Sequence, residues 1–293
     1  MKSNNMKIMK TYFLILLLIL FINNSSISQT TFEYKEYVVI QNKVEFNFQI
    51  TPPIQQFIRC YQGRSRKSME ASLANSGRFY EMATRIFREE GLPEQLVWIS
   101  HISNEWGNNP KLGLWFFNDD VAKKYGLEKT ELLNERLSFE QSTRAIARHL
   151  KHLSEKYDKN WKLVIASYYS GEQAVDDAIK KSQSKDFQDI YKYLHRDERN
   201  FVPKVLATIA IANKPEKYGF GKVEKKQRVK YDRVRIPAST DLRILASVTQ
   251  IDFEDIEKIN PELLTDTTPP VPYVVRFPLG TAELIVGYFR LRQ

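Results

Sequence analysis

Residues 91–107 read Gly-Leu-Pro-Glu-Gln-Leu-Val-Trp-Ile-Ser-His-Ile-Ser-Asn-Glu-Trp-Gly. Gly91 stands where a left-handed residue ends one helix, and Pro93 suits the first position of another. Apolar residues then recur at helical spacing from Leu96 to Ile102, until Gly-Asn-Asn-Pro at 107–110 interrupts the pattern. The stretch therefore predicts two helices that follow each other closely.

The same periodicity extends on both sides of this stretch. Apolar residues between Phe79 and Phe87 follow the i, i+3, i+4, i+7, i+8 pattern, and those from Phe139 to Tyr157 recur at heptad-like spacing. Shorter helices fit Trp161–Ser170, Glu172–Lys181 and Val202–Asn213. We therefore predict an all-helical domain over residues 44–220.

The pattern changes after this domain. Residues 221–230 are mostly polar and basic, which predicts a solvated linker. Residues 231–281 then fit a strand, two short helices and a second strand, and residues 282–293 are left as a C-terminal tail. The chain is therefore predicted to be mainly α, with a small β-α-α-β module after the helical domain.

The first 28 residues have the pattern of a secretory signal peptide. They hold three lysines, no acidic residue and eleven consecutive apolar residues from Tyr12 to Ile22, a run too short to cross a bilayer comfortably. We expect cleavage near Ser28, followed by an N-terminal extension over 29–43. The mature protein would be exported to the periplasm or cell envelope and would have no membrane anchor.

Composition excludes several classes of function. Without the signal peptide the net charge falls from +9 to +6, a weak field compared with that of nucleic-acid-binding proteins. The single cysteine, Cys60, excludes an intramolecular disulfide. No phosphate loop or dinucleotide motif is present, so no cofactor is expected. His149, His152 and Glu155 share one helix face, but a solvated polar face is favoured there over a metal site.

A series of motifs resembles one known family. They are Tyr61-Gln-Gly-Arg-Ser-Arg-Lys, Ser76-Gly-Arg-Phe-Tyr, Gly91-Leu-Pro-Glu-Gln-Leu, Gly113-Leu-Trp, Lys124-Tyr-Gly-Leu, Ala166-Ser-Tyr-Tyr-Ser-Gly, Asn200-Phe-Val-Pro-Lys-Val-Leu-Ala and Pro215-Glu-Lys-Tyr-Gly. In this order they resemble the type D membrane-bound lytic murein transglycosylases. The resemblance implies a goose-lysozyme-like fold over 44–220, and residues 231–281 resemble a degenerate LysM module, which binds N-acetylglucosamine chains.

The resemblance also implies that the catalytic group is absent. The family's reaction depends on one glutamic acid, which protonates the glycosidic oxygen and then, as a carboxylate, deprotonates the attacking muramic 6-hydroxyl. That residue lies ten positions after the proline of the Gly-Leu-Pro motif, where this chain has Ser103. A serine hydroxyl is far too weak an acid to replace it.

Three more family positions differ in the same site. The family's substrate-contacting glutamine corresponds to Phe116, and the asparagine that holds an N-acetyl group corresponds to Tyr169. The tyrosine that hydrogen-bonds the catalytic acid corresponds to Phe201. The motifs that build the fold are therefore retained, whereas the chemical groups are lost.

Glu105 is the remaining acid candidate, two residues beyond Ser103. On a continuous helix, two residues rotate a side chain by about 200°, so Glu105 would face away from the groove. If the helix has already ended before Glu105, the Glu105 side chain could fold back into the groove. Aromatic residues are expected around the groove, either stacking on sugars or filling the core; they are Trp106, Trp115, Phe116, Tyr168 and Tyr169.

Three functions remain open from the sequence. The favoured one is an exported, catalytically inactive protein that binds peptidoglycan glycan strands or acts as an envelope scaffold. The second is an active lytic transglycosylase that forms 1,6-anhydromuramic ends with Glu105 as a displaced general acid and base. The third is a protein-interaction module of an envelope complex, with its groove plugged by Phe116 and Tyr169.

Overall fold

The computed structural model of the chain describes residue 44 and residues 46–292. The predicted signal peptide and nearly all of the N-terminal extension lie outside these residues. Nine α-helices of the described residues precede the linker: α1 Pro52–Gln62, α2 Arg66–Glu89, α3 Ile99–Asn104, α4 Asp119–Lys124, α5 Phe139–Lys156, α6 Trp161–Ser170, α7 Glu172–Ser182, α8 Phe187–Ile190 and α9 Arg196–Asn213. The prediction of a mainly helical fold is confirmed.

The long helices bury one continuous apolar core. Helix α9 packs against α1 and α6, and α2 packs against α5. Side chains such as Phe87, Ile146 and Ile209 are fully buried between them. Each helix contributes the apolar stripe that its sequence predicts, so the core follows directly from the periodicity.

The stretch 91–107 differs from the prediction of one helix after Gly91. Gly91 is left-handed, with φ 73°, and a 3₁₀ helix over Glu94–Trp98 precedes the short α3. Glu105, Trp106 and Gly107 then adopt three successive left-handed conformations, with φ of 46°, 58° and 76°. The polypeptide therefore turns sharply directly after α3, which positions the side chains of the candidate site.

The C-terminal module pairs β1 (Tyr231–Ile236) with β2 (Tyr273–Pro278) in an antiparallel sheet. Helices α10 (Leu242–Thr249) and α11 (Phe253–Ile259) lie between the strands in sequence. Residues predicted as a tail form a further helix, α12 (Ala282–Arg290), which buries Ile285 in the core of the module. The module is thus stabilised by one helix more than the sequence predicted.

A buried ion pair fixes the loop before β2. Arg276 and Glu262 are both buried, and the guanidinium donates to the Glu262 carboxylate and to the Ile259 carbonyl. The Asn260 side chain donates to the Arg276 carbonyl at 2.6 Å and accepts from its backbone N–H at 2.8 Å. These bonds satisfy polar groups that would otherwise be costly to bury.

The module is attached to the helical domain through backbone bonds. The N–H of Asn134 donates to the carbonyl of Glu262 at 2.8 Å, and the N–H of Leu264 donates to the carbonyl of Leu132 at 2.9 Å. Arg233 on β1 reaches Glu140 at the start of α5, at 3.0 Å. These contacts join the module to the segment that precedes and begins α5.

The predicted linker lies along α2. Its side chains are mostly exposed, as the sequence indicates, yet the N–H of Lys226 donates to the carbonyl of Ala74 at 2.9 Å, and that of Val229 donates to Arg78 at 3.3 Å. Gly77 makes this approach possible, because a Cβ at this position would lie 2.1 Å from the Lys226 carbonyl oxygen. The linker is therefore docked on the helix.

We expect Gly77→Ala to release the linker. Alanine favours the helix by about 1 kcal/mol over glycine, but its methyl group would occupy the place of the Lys226 carbonyl. Limited trypsin digestion of the full chain should cleave the linker several-fold faster in the variant. Lys67→Ala, on an exposed part of α2, is the control and should leave the rate unchanged. Equal rates for wild type and Gly77→Ala would contradict the docking.

Candidate functional site

Ser103 lies in the last turn of α3 and is partly buried. Its hydroxyl donates to the carbonyl of Ile99 at 3.3 Å and contacts the Tyr168 hydroxyl of α6. Burial raises the pKa of Tyr168 to about 12, although its bonds with the Ser103 side chain and the Phe116 carbonyl act in the opposite direction. The side chain at position 103 therefore faces α6 and carries no acidic group.

Glu105 points to a different side of the domain. Its carboxylate accepts from the Ser68 hydroxyl of α2 at 2.5 Å and from the Asn108 side chain at 3.1 Å. Its carbonyl accepts from Asn75, also on α2, at 3.0 Å. Although α3 has ended at this point, the left-handed turn directs Glu105 toward α2, while Ser103 faces α6.

Two tryptophans expected around the groove lie in the core instead. Trp106 is fully buried, with its ring centroid 5.4 Å from that of Trp98. Trp115 is almost fully buried and donates from its indole N–H to the Thr143 hydroxyl at 2.8 Å. The turn after α3 directs Trp106 into the core. Because both indole rings are buried, neither is available to a ligand.

The other aromatic residues combine two exposed rings with two buried ones. The Tyr169 ring lies nearly parallel to that of the buried Phe201, with centroids 4.4 Å apart and planes 14° apart. Tyr169 is 41% exposed and Phe116 is 60% exposed. Phe116 is also held through its carbonyl, which accepts from the Tyr168 hydroxyl at 3.1 Å. We call these four residues the aromatic platform.

The aromatic platform borders a cleft of about 210 Å³. Its lining also includes Phe117, Asn118, Val121, His149, Ser167, Ser170, Gly171 and Glu172. Tyr169, which stacks on Phe201, lines this cleft and is 41% exposed. The cleft is therefore lined in part by aromatic rings.

His149 differs from the expectation of a solvated helix face. It is buried, and its Nδ1 lies 3.4 Å from the Tyr125 hydroxyl. Burial, with a further contribution from Lys124, lowers the pKa of His149 to about 4. Nor does it gather a metal site, since no group of three potential ligands occurs in the part of the chain that the structure describes. The imidazole is therefore a neutral wall of the cleft.

Glu172 is a cleft residue that the sequence reasoning missed. It begins α7, directly after the Ser-Gly pair of the family motif, and that position was the available signal. Its carboxylate accepts from Lys156 at 2.8 Å and lies 3.2 Å from His152. Burial raises its pKa, but these two partners outweigh burial and lower it. Glu172 is therefore ionised near neutral pH and has no proton to donate there.

None of the described helices is long and apolar enough to span a bilayer.

Comparisons with known proteins give matches within the helical domain. Residues 98–191 match the family model described as "Transglycosylase SLT domain". Over 140 residues the chain is 30% identical to "Membrane-bound lytic murein transglycosylase D" of Escherichia coli K12 and, equally, to the protein of that name from E. coli O6:H1 strain CFT073. The match covers 46% of this chain and 27% of each relative. The predicted family resemblance is confirmed for the matched part.

We expect stability to fall in mild acid because of two buried histidines. Burial lowers the pKa values of both His101 and His149 to about 4, from 6.5 in the unfolded chain. The unfolded chain therefore binds more protons between pH 4 and 6.5, so this stabilisation is complete above pH 6.5 and is lost as the pH falls toward 4.

Urea unfolding at pH 7 and pH 5 measures the effect. The free energy of unfolding should be lower at pH 5 by roughly 1–2 kcal/mol for each histidine. His149→Gln and His101→Gln should each reduce this difference, whatever their effect at pH 7. A pH dependence that neither variant changes would show that these histidines do not cause it.

Proposed function

We propose, from the premise that the helical domain is a lytic-transglycosylase-like domain, that the chain is an exported cell-envelope protein that binds peptidoglycan glycan strands without cleaving them. In this proposal residues 1–28 are the signal peptide, 44–220 the glycan-binding domain, 221–230 the linker and 231–281 a LysM-like module. One observation carries the proposal: the cleft retains an open aromatic surface but has no carboxylic acid placed to protonate a glycosidic oxygen.

The three candidate positions for an acid each argue against catalysis. Ser103 has no acidic proton at working pH and contacts Tyr168. Glu105 is bonded to Ser68 on α2, away from the side that Ser103 faces. Glu172 does line the cleft, but its partners lower its pKa, so it lacks the proton that a general acid must donate.

The aromatic platform favours sugar binding over a plugged groove. Sugar rings have apolar C–H faces that stack on aromatic rings, and each well-placed ring contributes on the order of 1 kcal/mol. Tyr169 and Phe116 both line the cleft, and 41% and 60% of their surfaces are exposed. Ionised Glu172 adds a carboxylate that can accept hydrogen bonds from sugar hydroxyls. These features support a glycan partner more than a protein that closes the groove.

We expect the mature protein to sediment with purified sacculi and to release no anhydro-muropeptides. Tyr169→Ala should weaken this binding roughly fivefold, because it removes a stacking face worth on the order of 1 kcal/mol. Tyr193→Ala is the matched control, since Tyr193 is similarly exposed, at 39%, and does not line the cleft. Sedimentation and chromatography of the soluble products measure both expectations.

Two results would contradict this function. Release of anhydro-muropeptides that Glu105→Gln abolishes would favour an active enzyme. Failure of the wild-type protein to sediment with sacculi, or equal weakening by Tyr169→Ala and Tyr193→Ala, would remove the argument for glycan binding in the cleft and favour a protein partner.

A single restoring substitution should not produce activity. Ser103→Glu would place a carboxyl group beside Tyr168, but Phe201 has no hydroxyl to bond to it, and Phe116 and Tyr169 occupy the family's substrate-contacting positions. We expect no anhydro-muropeptides from Ser103→Glu on sacculi. Turnover by this variant would show that the aromatic side chains at these positions do not prevent catalysis.

A further inference from the structure

A second cleft lies where the linker and β1 cross α2 and the start of α5. It encloses about 380 Å³ and is separate from the aromatic platform. Its lining includes a single carboxylate, that of Glu140, and five basic side chains: Arg78, Arg85, Arg228, Lys230 and Arg233. We call it the basic cleft.

Three of these cations already have carboxylate partners. Arg85 lies 3.6 Å from Glu140 and Arg233 lies 3.0 Å from it. Arg228 lies 2.6 Å from Glu81. Their charges are thus partly neutralised within the protein, and their side chains are held in place at the rim.

Arg78 and Lys230 have no such partner among the described residues. Arg78 is partly buried, and its guanidinium group lies 4.7 Å from the centre of the Phe79 ring. Burial lowers the pKa of Arg78, and no carboxylate offsets this cost. Lys230 is exposed at the cleft rim. A partly desolvated cation without a counter-charge is a site at which a bound anion would gain energy.

The floor of the basic cleft is apolar. Phe79 and Phe139 are buried there, with ring centroids 4.4 Å apart. Met82 and Val229 extend this surface, and Leu279 lies at its edge with 62% of its surface exposed. The cleft therefore suits a ligand that combines carboxylates with short aliphatic groups, whereas a neutral sugar would leave the cations unpaired.

We propose that the basic cleft binds the carboxylates of the short peptides that branch from peptidoglycan glycan strands. This inference rests on the proposed function, because it assigns a second chemical component of the same polymer to a second site. The concave shape argues against a lipid headgroup surface as the ligand, since Arg78 is partly buried and lines the cleft.

The test compares two forms of the polymer. Sacculi that carry their peptides are compared with glycan strands from which an amidase has removed them, using the full mature chain. The variants are Arg78→Gln/Lys230→Gln and, because Arg78 also packs on Phe79, Lys230→Gln alone. Lys180→Gln/Lys181→Gln on α7 is the control, with the same change of charge on an exposed helix surface outside both clefts. Thermal unfolding checks that each variant is folded.

We expect Arg78→Gln/Lys230→Gln to bind peptide-bearing sacculi at least fivefold more weakly, with Lys230→Gln intermediate. Binding to peptide-free glycan should be unchanged in both, and the control should match the wild type on both polymers. A soluble stem tripeptide with free carboxylates should bind the wild type and not the double variant.

Other outcomes would overturn this inference. They are unchanged binding of the double variant to peptide-bearing sacculi, or an equal loss on both polymers. The proposed function fails separately, if the wild type does not bind peptide-free glycan. Tripeptide binding that depends on Arg78 and Lys230 would still support the basic cleft in that case.

Discussion

Burial of the Trp106 indole constrains the geometry of the whole candidate site. The ring packs against Trp98 and lies between α2 and the segment before α4, so the chain must turn inward directly after α3. It does so through three left-handed residues, of which only Gly107 adopts such a conformation without strain. The turn directs Glu105 to Ser68 and leaves Ser103 against Tyr168. Core packing, and not the cleft, therefore determines where the nearest carboxylate points.

In the proposed function, a catalytic group can be absent from an intact fold because the core and the cleft use different side chains. The residues that hold the helical domain together are apolar and lie between helices, whereas Phe116 and Tyr169 line the cleft and Ser103 contacts Tyr168. Replacing a polar cleft residue by an aromatic one removes no core contact. The buried Phe201 keeps an aromatic ring that supports that of Tyr169, with centroids 4.4 Å apart. Stability and chemistry thus depend on different sets of side chains in this domain.

The sequence predicted the helical fold more accurately than it predicted which individual side chains are buried. Periodicity located the long helices, because each buries a wide apolar stripe. His149 was wrongly predicted to lie on a solvated helix face. It lies between Ile146 and Leu150 on the buried stripe of α5, a position that indicates burial. Periodicity also missed Glu172 and the docking of the linker at Gly77, because both depend on elements that are distant in sequence and meet only in the folded chain. Helix α12 was missed although its nine residues make it longer than α10 and α11, both of which the sequence indicated.

The two proposed sites, each weak by itself, would together suit a polymer of repeating units. A stacking platform of two exposed rings contributes a few kcal/mol at most, and a Kd of 1 mM already requires about 4 kcal/mol. Charged contacts in the basic cleft would add a second, salt-dependent contribution. When both sites engage one polymer, the second contact is intramolecular, and effective concentrations in the millimolar range can raise the overall affinity by a factor on the order of 100 or more. Because the docked linker forms part of the wall of the basic cleft, its attachment at Gly77 would also hold this second site in a fixed position on the helical domain.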